Sequence, residues 1–324
     1  MSLLASWLAS PPPDAAVEIA PERVSAAVLV DRGTRGTHLA VKSYASEPLP
    51  PGAVVASLAS HNILDHQAVT AAVRTVLGRL DRRVARVALI IPDVAAKVSL
   101  VRFDQVPARR DDLDQLVRWQ VRKSAPFPID DACVSYTPGA PGASGAAEFV
   151  VVLARRNIVE EYERVCADAG AYAGLVDLAT FSVLNLVLAS SNVPASDWLA
   201  VHMRPEYTSI AIVRGANLIF FRNRPEGDEE TLADLVHQTA MYYQDRLSGQ
   251  GFARVLLGGG GRAPGAIDLA RRSLEERLGT VVEPIDPTSV AAPSDRLSVT
   301  GDLLDILAPL TGMLLRTRKE AVGV

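Results

Sequence analysis

Apolar positions recur along the chain with two periods, and each period predicts a different kind of element. Residues 65–80 carry apolar side chains three and four positions apart, which is the spacing of one helix face. Short alternating or continuous apolar runs predict strands instead. In the first half of the chain these runs lie at residues 87–91, 98–103, 132–137 and 148–154.

The segment from residue 23 to residue 42 is predicted to be rich in strands. The apolar residues at 28–30 lead into Asp31-Arg32-Gly33-Thr34, a polar stretch that contains glycine, before apolar residues resume. A strand, a glycine-containing turn and a second strand are typical of a β-hairpin.

The pattern changes near residue 95. The strand at 98–103 precedes a polar helix at 111–123 and Pro126-Phe127-Pro128, and two further strands flank a loop at 138–147. A helix capped by Asn157 and ending at Gly170 follows. We interpret this stretch as an inserted α+β module.

The second half of the chain repeats the order of the first. Strands at 198–203, 207–213 and 218–222 predict an antiparallel meander, followed by a helix at 229–247. A last strand ends in four glycines and precedes a helix at 264–278. Both halves begin with hairpins and end in helices, which indicates an approximate internal duplication.

The first residues differ from the rest of the chain. Leu3, Leu4, Trp7 and Leu8 lie on one side of a short helix that stops at three consecutive prolines. This amphipathic segment could dock on its own domain or contact a membrane surface or a partner. It lacks the basic region that precedes a secretory signal.

Composition narrows the class of protein. Thirty-three basic residues against 37 acidic ones give a net charge of −4, so no overall positive field favours nucleic acid. Only Cys133 and Cys166 are present, which suits a reducing cytoplasm and no disulfide framework. The longest uncharged stretch, residues 178–196, is polar enough to predict a buried helix and loop instead of a membrane span.

The glycine run Gly258-Gly259-Gly260-Gly261 is the main candidate for binding chemistry. A strand, a glycine loop and a helix bring backbone N–H groups close to a phosphate or a base, although a plain strand-to-helix turn has the same pattern. A dinucleotide site with Glu283 on the ribose is a further alternative, but only one βαβ unit is visible.

Other catalytic and metal-binding patterns are missing from the sequence. No Gly-Lys pair occurs, which excludes a P-loop, and the five histidines lack the spacing of a zinc site. No group stands out as a general base. We therefore expect no catalytic residue and no metal ligand.

Several motifs together resemble PilM, the actin-like family of type IV pilus assembly that is related to FtsA. The most specific stretch runs from Leu100 to Pro107, continues through the helix that contains Trp119, and reaches Pro126-Phe127-Pro128. Leu257-Gly258-Gly259-Gly260 is similar to an actin-like adenosine loop, and residues 310–316 resemble the closing helix of the family.

The resemblance implies an α/β protein with the bilobed actin-like ATPase (ASKHA) fold and an inserted 1C subdomain of the SHS2 type. It divides the chain at the following residues: an extension and proline linker at 1–21; a first lobe at 22–94, completed by 172–196 and 302–324; the inserted subdomain at 95–171; and a second lobe at 197–301.

The resemblance also implies a function. Family members are cytoplasmic scaffolds that bind the N-terminal tail of PilN, a bitopic protein, and so lie peripheral to the inner membrane beside platform and motor proteins. An apolar tail would lie between the inserted module and the main body, where Phe103, Trp119 and Phe127 are candidate contacts. Self-association is a further possibility.

ATP with Mg²⁺ is the cofactor implied by the resemblance. Its candidate contacts are Asp31, Gly33 and Thr34 in an Asp-x-Gly-Thr loop, together with Gly258 to Gly261. The second phosphate loop of the family is altered here to His202-Met203-Arg204-Pro205, which lacks the carboxylate and the glycine. Arg204 or Arg224 could offset phosphate charge without a metal.

Two alternatives share this fold. One is an active ATPase or sugar-kinase-like enzyme, which the altered second loop disfavours. The other is a cytoplasmic domain of the GspL type from type II secretion. The sequence favours a scaffold whose nucleotide site is degenerate.

Overall fold

A computed structural model describes residues 13–31, 39–141, 146–190, 196–225, 231–260, 265–293 and 300–322. The first lobe is built on a sheet of six strands, which are β1 (Ala15–Ile19), β2 (Arg23–Asp31), β3 (Leu39–Pro48), β4 (Arg86–Ile91), β8 (Tyr172–Leu178) and β14 (Ala291–Pro293). They lie side by side in the order β14-β3-β2-β1-β4-β8.

The helices of the first lobe cover its sheet on two sides. α1 (His66–Gly78) begins where Asp65 accepts a 2.9 Å hydrogen bond from the Ala68 amide, and it packs with α3 (Arg156–Asp168) on one face. The other face packs against α4 (Ala179–Ala189) and α7 (Gly301–Val322). Both layers bury apolar side chains, which is what holds this lobe together.

The elements of the second lobe are β9 (Asp197–Met203), β10 (Tyr207–Arg214), β11 (Asn217–Pro225), α5 (Leu232–Leu247), β12 (Arg254–Gly259), α6 (Ala266–Leu278) and β13 (Val282–Pro284). Its five strands form one sheet in the order β11-β10-β9-β12-β13. The order of these strands matches β3-β2-β1-β4-β8 in the first lobe, so the predicted internal duplication is confirmed.

The inserted module has its own sheet and its own core. β5 (Ala96–Phe103), β7 (Ala147–Arg155) and β6 (Ala132–Pro141) form three antiparallel strands, and α2 (Arg110–Arg122) covers one face. Even-numbered residues of β5 and β7, such as Val98 and Val152, instead pack against the first lobe. This alternation docks the module because successive strand residues point to opposite faces.

Three predicted boundaries need correction. Ala15–Ile19 is a strand between β2 and β4, so the first lobe begins before residue 22. The helix Arg156–Asp168 packs in the core of the first lobe instead of the inserted module. Ala291–Pro293 pairs with β3, so this strand belongs to the first lobe and not to the second.

Two local predictions also differ from the structure. Asn157 does not cap its helix, because the N-cap position is Arg155 and no side chain caps it. The loop predicted at residues 138–147 is partly strand, since β6 reaches Pro141 and β7 starts at Ala147.

The amphipathic segment at residues 1–12 lies outside the described residues. No helix in the described ranges is long and apolar enough to cross a membrane.

Candidate functional site

Two equivalent hairpin turns meet between the lobes. The first, Ala20-Pro21-Glu22, joins β1 to β2, and the second, Arg204-Pro205-Glu206, joins β9 to β10. The Arg204 Nη2 atom lies 3.2 Å from Glu18 Oε1 and 3.3 Å from Glu22 Oε1. A cation of the second lobe is therefore paired directly with two carboxylates of the first.

This ion pair is buried. The side chains of Arg204 and Glu18 are 4% and 3% exposed, and Arg23 pairs with both Glu18 and Glu22. Burial by itself would lower the pKa of Arg204, but Glu18 and Glu22 hold this pKa above its usual value. The guanidinium remains charged because the Glu18 carboxylate is buried beside it and Glu22 adds a second negative charge.

A network of polar side chains around Asp93 lies behind the turns. Its carboxylate accepts hydrogen bonds from the Thr180 amide at 3.0 Å, from Ser209 Oγ at 2.6 Å and from the Thr180 hydroxyl. The Asp93 amide donates to the Tyr207 hydroxyl at 3.3 Å. Complete burial raises the pKa of Asp93 despite these bonds. The network therefore joins the residues that follow β4 to the second lobe.

His202 belongs to the same network. Its Nδ1 atom is 2.8 Å from Thr180 Oγ1, and the side chain is buried. Burial, together with Arg204 and Arg23, lowers the pKa of His202 to about 3. The ring is therefore neutral at physiological pH and acts as a hydrogen-bonding group instead of a charge.

The glycine run is shaped by strand packing. Gly258 and Gly259 end β12, where Gly259 pairs with Met203 of β9. A Cβ on Gly259 would lie 2.0 Å from the Met203 carbonyl oxygen. The Gly259 amide donates to Asp305 Oδ1 at 3.0 Å, and the Gly260 amide donates to the Met203 oxygen at 3.1 Å. Both amides are thus used within the protein, and Gly261 lies outside the described residues.

Asp305 gives this region a dependence on pH. Burial raises its pKa from 3.8 to about 6, although the Gly259 amide and Arg204 oppose the rise. Between these two values the unfolded chain has lost the proton that the folded chain retains. Stability should therefore fall as the pH rises through this window, by up to about 3 kcal/mol.

Asp305→Asn tests this expectation, because an amide keeps the acceptor for Gly259 but does not titrate. The free energy of unfolding of the native protein minus that of the variant should fall as the pH is raised from about 4 to about 6. Urea denaturation at several pH values measures it, with Asp104→Asn, which removes an exposed carboxylate, as the control. A difference that stays constant over this window would contradict the role of Asp305.

The structure separates the other predicted phosphate residues from the glycine run. Asp31 ends β2, whereas Arg23, which pairs with Glu18 at the cleft, begins it. Nine residues of strand place the two ends roughly 26 Å apart. Asp31 is therefore not brought together with Gly259. Gly33 and Thr34 lie outside the described residues.

The described residues of the cleft do not fit a magnesium-bound triphosphate. A phosphate needs free N–H donors or uncompensated cations, yet the Ala20 and Arg204 amides donate to Arg23 and Tyr207 oxygens at 2.9 and 2.8 Å. Pro21 and Pro205 have no N–H. The Oε1 atoms of Glu18 and Glu22 are paired with Arg204. The carboxylates of Asp93 and Asp305 also have internal partners, which are Thr180 and Ser209 for Asp93 and the Gly259 amide for Asp305.

Most of this site carries little signal in the sequence. Glu18 falls within the predicted linker because β1 has no clear strand pattern, and Asp305 lies in a helix marked only by its apolar face. Asp93 is the exception. It follows a buried parallel strand almost directly, and side chains at the carboxyl ends of such strands meet at one edge of the sheet.

A second feature is a groove between the inserted module and the two lobes, with a volume of about 450 Å³. Its walls come from the loop at residues 56–58, from three consecutive residues of β5 and from one face of β11. The lining residues include Leu58, Ala96, Lys97, Val98, Phe221, Asn223 and Pro225. Both strands are edge strands of their sheets in the described part of the chain.

The three predicted partner contacts do not lie together at this groove. Phe103 is 7% exposed and packs against Phe149 in the core of the module, so its ring is not presented to a partner. Phe127 packs against the edge of the same core. Trp119 is 64% exposed on α2, which covers the sheet face directed away from the lobes.

Several solved structures are similar to this chain. A chain of the PilM–PilN type IV pilus biogenesis complex superposes with a TM-score of 0.80 at 18% identity, covering 95% of this chain and 99% of that one. A Bacteroides thetaiotaomicron protein of actin-like ATPase fold and unknown function gives 0.49 at 10%, covering 92% and 95%. The cytoplasmic domain of EpsL from the Vibrio cholerae type II secretion system gives 0.48 at 11%, covering 93% and 94%.

A family model of the type IV pilus assembly protein PilM matches residues 17–246. The matched range contains both hairpin turns, the whole inserted module and the walls of the groove. It covers well over half of the 324 residues. The chain therefore has the actin-like ATPase fold and belongs to the PilM family of type IV pilus assembly proteins.

Proposed function

We propose that this chain is a scaffold of type IV pilus or related assembly that binds the N-terminal tail of a PilN-like membrane protein. The observation that carries the proposal is the groove between β5 and β11. Support comes from family membership and from the fold shared with a chain of the PilM–PilN complex. The scaffold would lie in the cytoplasm, held at the inner membrane through its partner.

The lining of the groove suits an extended peptide. Ala96, Lys97 and Val98 are consecutive, and consecutive residues line a groove when a strand presents its edge. An edge strand offers unpaired N–H and C=O groups to a peptide that adds as a further strand. Phe221 and Pro225 supply an apolar wall for its alternate side chains. Affinity would come from the backbone and selectivity from the wall.

Recognition, and not turnover, is the mechanism that we propose. In the cleft between the lobes, Glu18 and Glu22 are already paired with Arg204. The described residues of this cleft do not fit a triphosphate. Val94 and Glu206 bring the groove next to the cleft, but the Asp93 carboxylate is buried and bonded to Thr180 and Ser209 instead of facing the groove. The scaffold would therefore act by positioning a membrane protein.

Leu58→Asp is the sharpest test of the groove. Leu58 is half-buried on a loop, so a carboxylate there should disturb the groove more than the fold. The loss of one buried apolar side chain predicts affinity weaker by roughly tenfold or more. Fluorescence anisotropy with a labelled peptide that copies the tail of the PilN-like protein from the same organism measures it.

Leu269→Asp is the matched control, because Leu269 is 66% exposed on α6 of the second lobe. It should bind the peptide as the native protein does. Trp119→Ala distinguishes the groove from the outer face of the module. Loss of binding in Trp119→Ala with full binding in Leu58→Asp would move the site to α2 and overturn the groove.

A further inference from the structure

Arg204 lies where the equivalent turns of the two lobes meet. It contacts Glu18 at 3.2 Å and Glu22 at 3.3 Å, across the cleft. Arg23 lies 3.6 Å from Glu18 on the other side and also pairs with Glu22. Two arginines and two glutamates are therefore paired between the turns.

The glycine side of the cleft is also occupied from within. The Gly259 amide donates to Asp305 at 3.0 Å, and the Gly260 amide donates to Met203 at 3.1 Å. An incoming anion would meet the Asp305 carboxylate and would have to displace both of these hydrogen bonds. The chain thus supplies its own partners for these two amides, which could otherwise contact a ligand.

We infer that Arg204 closes the cleft of this chain from within, by pairing with Glu18 and Glu22, and that the cleft takes no nucleoside triphosphate. The cleft is then closed without any ligand, because Arg204 and its two glutamate partners belong to the same chain. Removing one partner of a buried pair leaves an uncompensated charge, which loosens the contact. The lobes would separate at the two turns first.

Arg204→Met tests the contact, because methionine removes the charge but keeps an unbranched side chain. Hydrogen–deuterium exchange of peptides covering residues 20–24 and 203–207 should become at least about tenfold faster in the variant. The melting temperature should fall by several degrees. Arg254→Met, which removes an ion pair with Glu283 inside the second lobe, should leave exchange at both turns unchanged. Native-like exchange at both turns in Arg204→Met would overturn the inference.

A double variant keeps the test decisive if Arg204→Met folds poorly. Glu18→Gln combined with Arg204→Met removes both charges, so the double variant should be more stable than Arg204→Met alone. Destabilisation equal to the sum of the two single changes would show that the residues do not act on each other, and would sink the inference.

Nucleotide binding is measured directly on the native protein. Titration calorimetry with millimolar ATP and Mg²⁺ should show no heat of binding, and the melting temperature should not change. A ligand that binds only the folded state would raise its stability. A saturable heat or a raised melting temperature would overturn the second half of the inference. This result is independent of the proposed function, because the tail assay measures peptide binding and not nucleotide binding.

Discussion

Gly312→Ala is expected to destabilise the protein by roughly 3 kcal/mol or more, although alanine favours helices. Gly312 lies in α7 where this helix crosses α4. A Cβ there would lie 1.8 Å from the Ser182 carbonyl oxygen and 3.0 Å from the Leu186 amide nitrogen. These atoms belong to the backbone of a packed helix, so relief requires the two helices to move apart.

Gly301→Ala is the matched control for this prediction. It makes the same substitution in the same helix, at a position where a Cβ would have no neighbour within 4 Å. Its stability should equal or slightly exceed that of the native protein, by up to about 1 kcal/mol. Urea denaturation compares the two variants. Equal midpoints for both would show that α4 and α7 do not depend on their close approach.

Gly259→Ala is expected to cost roughly 3 kcal/mol of stability. Its φ of +87° lies in the left-handed region, which costs an alanine about 1–2 kcal/mol, and overpacking adds about as much. The Met203 carbonyl that the new Cβ would meet, at 2.0 Å, is part of the neighbouring strand β9. The strand has no free space into which it could retreat because its far side pairs with β10.

Gly260→Ala provides the control one residue further along. No atom lies within 4 Å of the position that a Cβ on Gly260 would take, so the change should stay within about 0.5 kcal/mol of the native protein. Thermal and urea unfolding of both variants report the difference. If the two substitutions cost the same, the glycines would not be serving the approach of β9 and β12.

Much of the fold follows from local patterns. Apolar spacing predicts the helix α1, and short strands with polar turns predict the meander of β9, β10 and β11; both predictions are confirmed. The duplication is also visible as a repeated order of elements. β1 escapes prediction because its five residues are small or mixed in character and stand next to a proline-rich stretch.

The candidate site depends much less on local pattern. Arg204 stands out in the sequence because it lies where the family has a metal-binding loop, but its partner Glu22 lies 182 residues earlier in the chain. An ion pair of this kind has no sequence period, since it forms only when two hairpin turns from different lobes meet. Trp119 is a candidate that the sequence does indicate, since its side chain is large and apolar, but in the structure it faces away from the groove.

The class of fold, the inserted module and the family can be predicted from the sequence alone, because periodicity and motifs depend on residues that are close together in the chain. The role of the glycine run is not local and emerges only when the chain has folded. Gly259 is required by the approach of β9, and its amide is held by Asp305, contacts that join distant parts of the chain. The pairing of Arg204 with Glu18 arises for the same reason, from the meeting of two lobes.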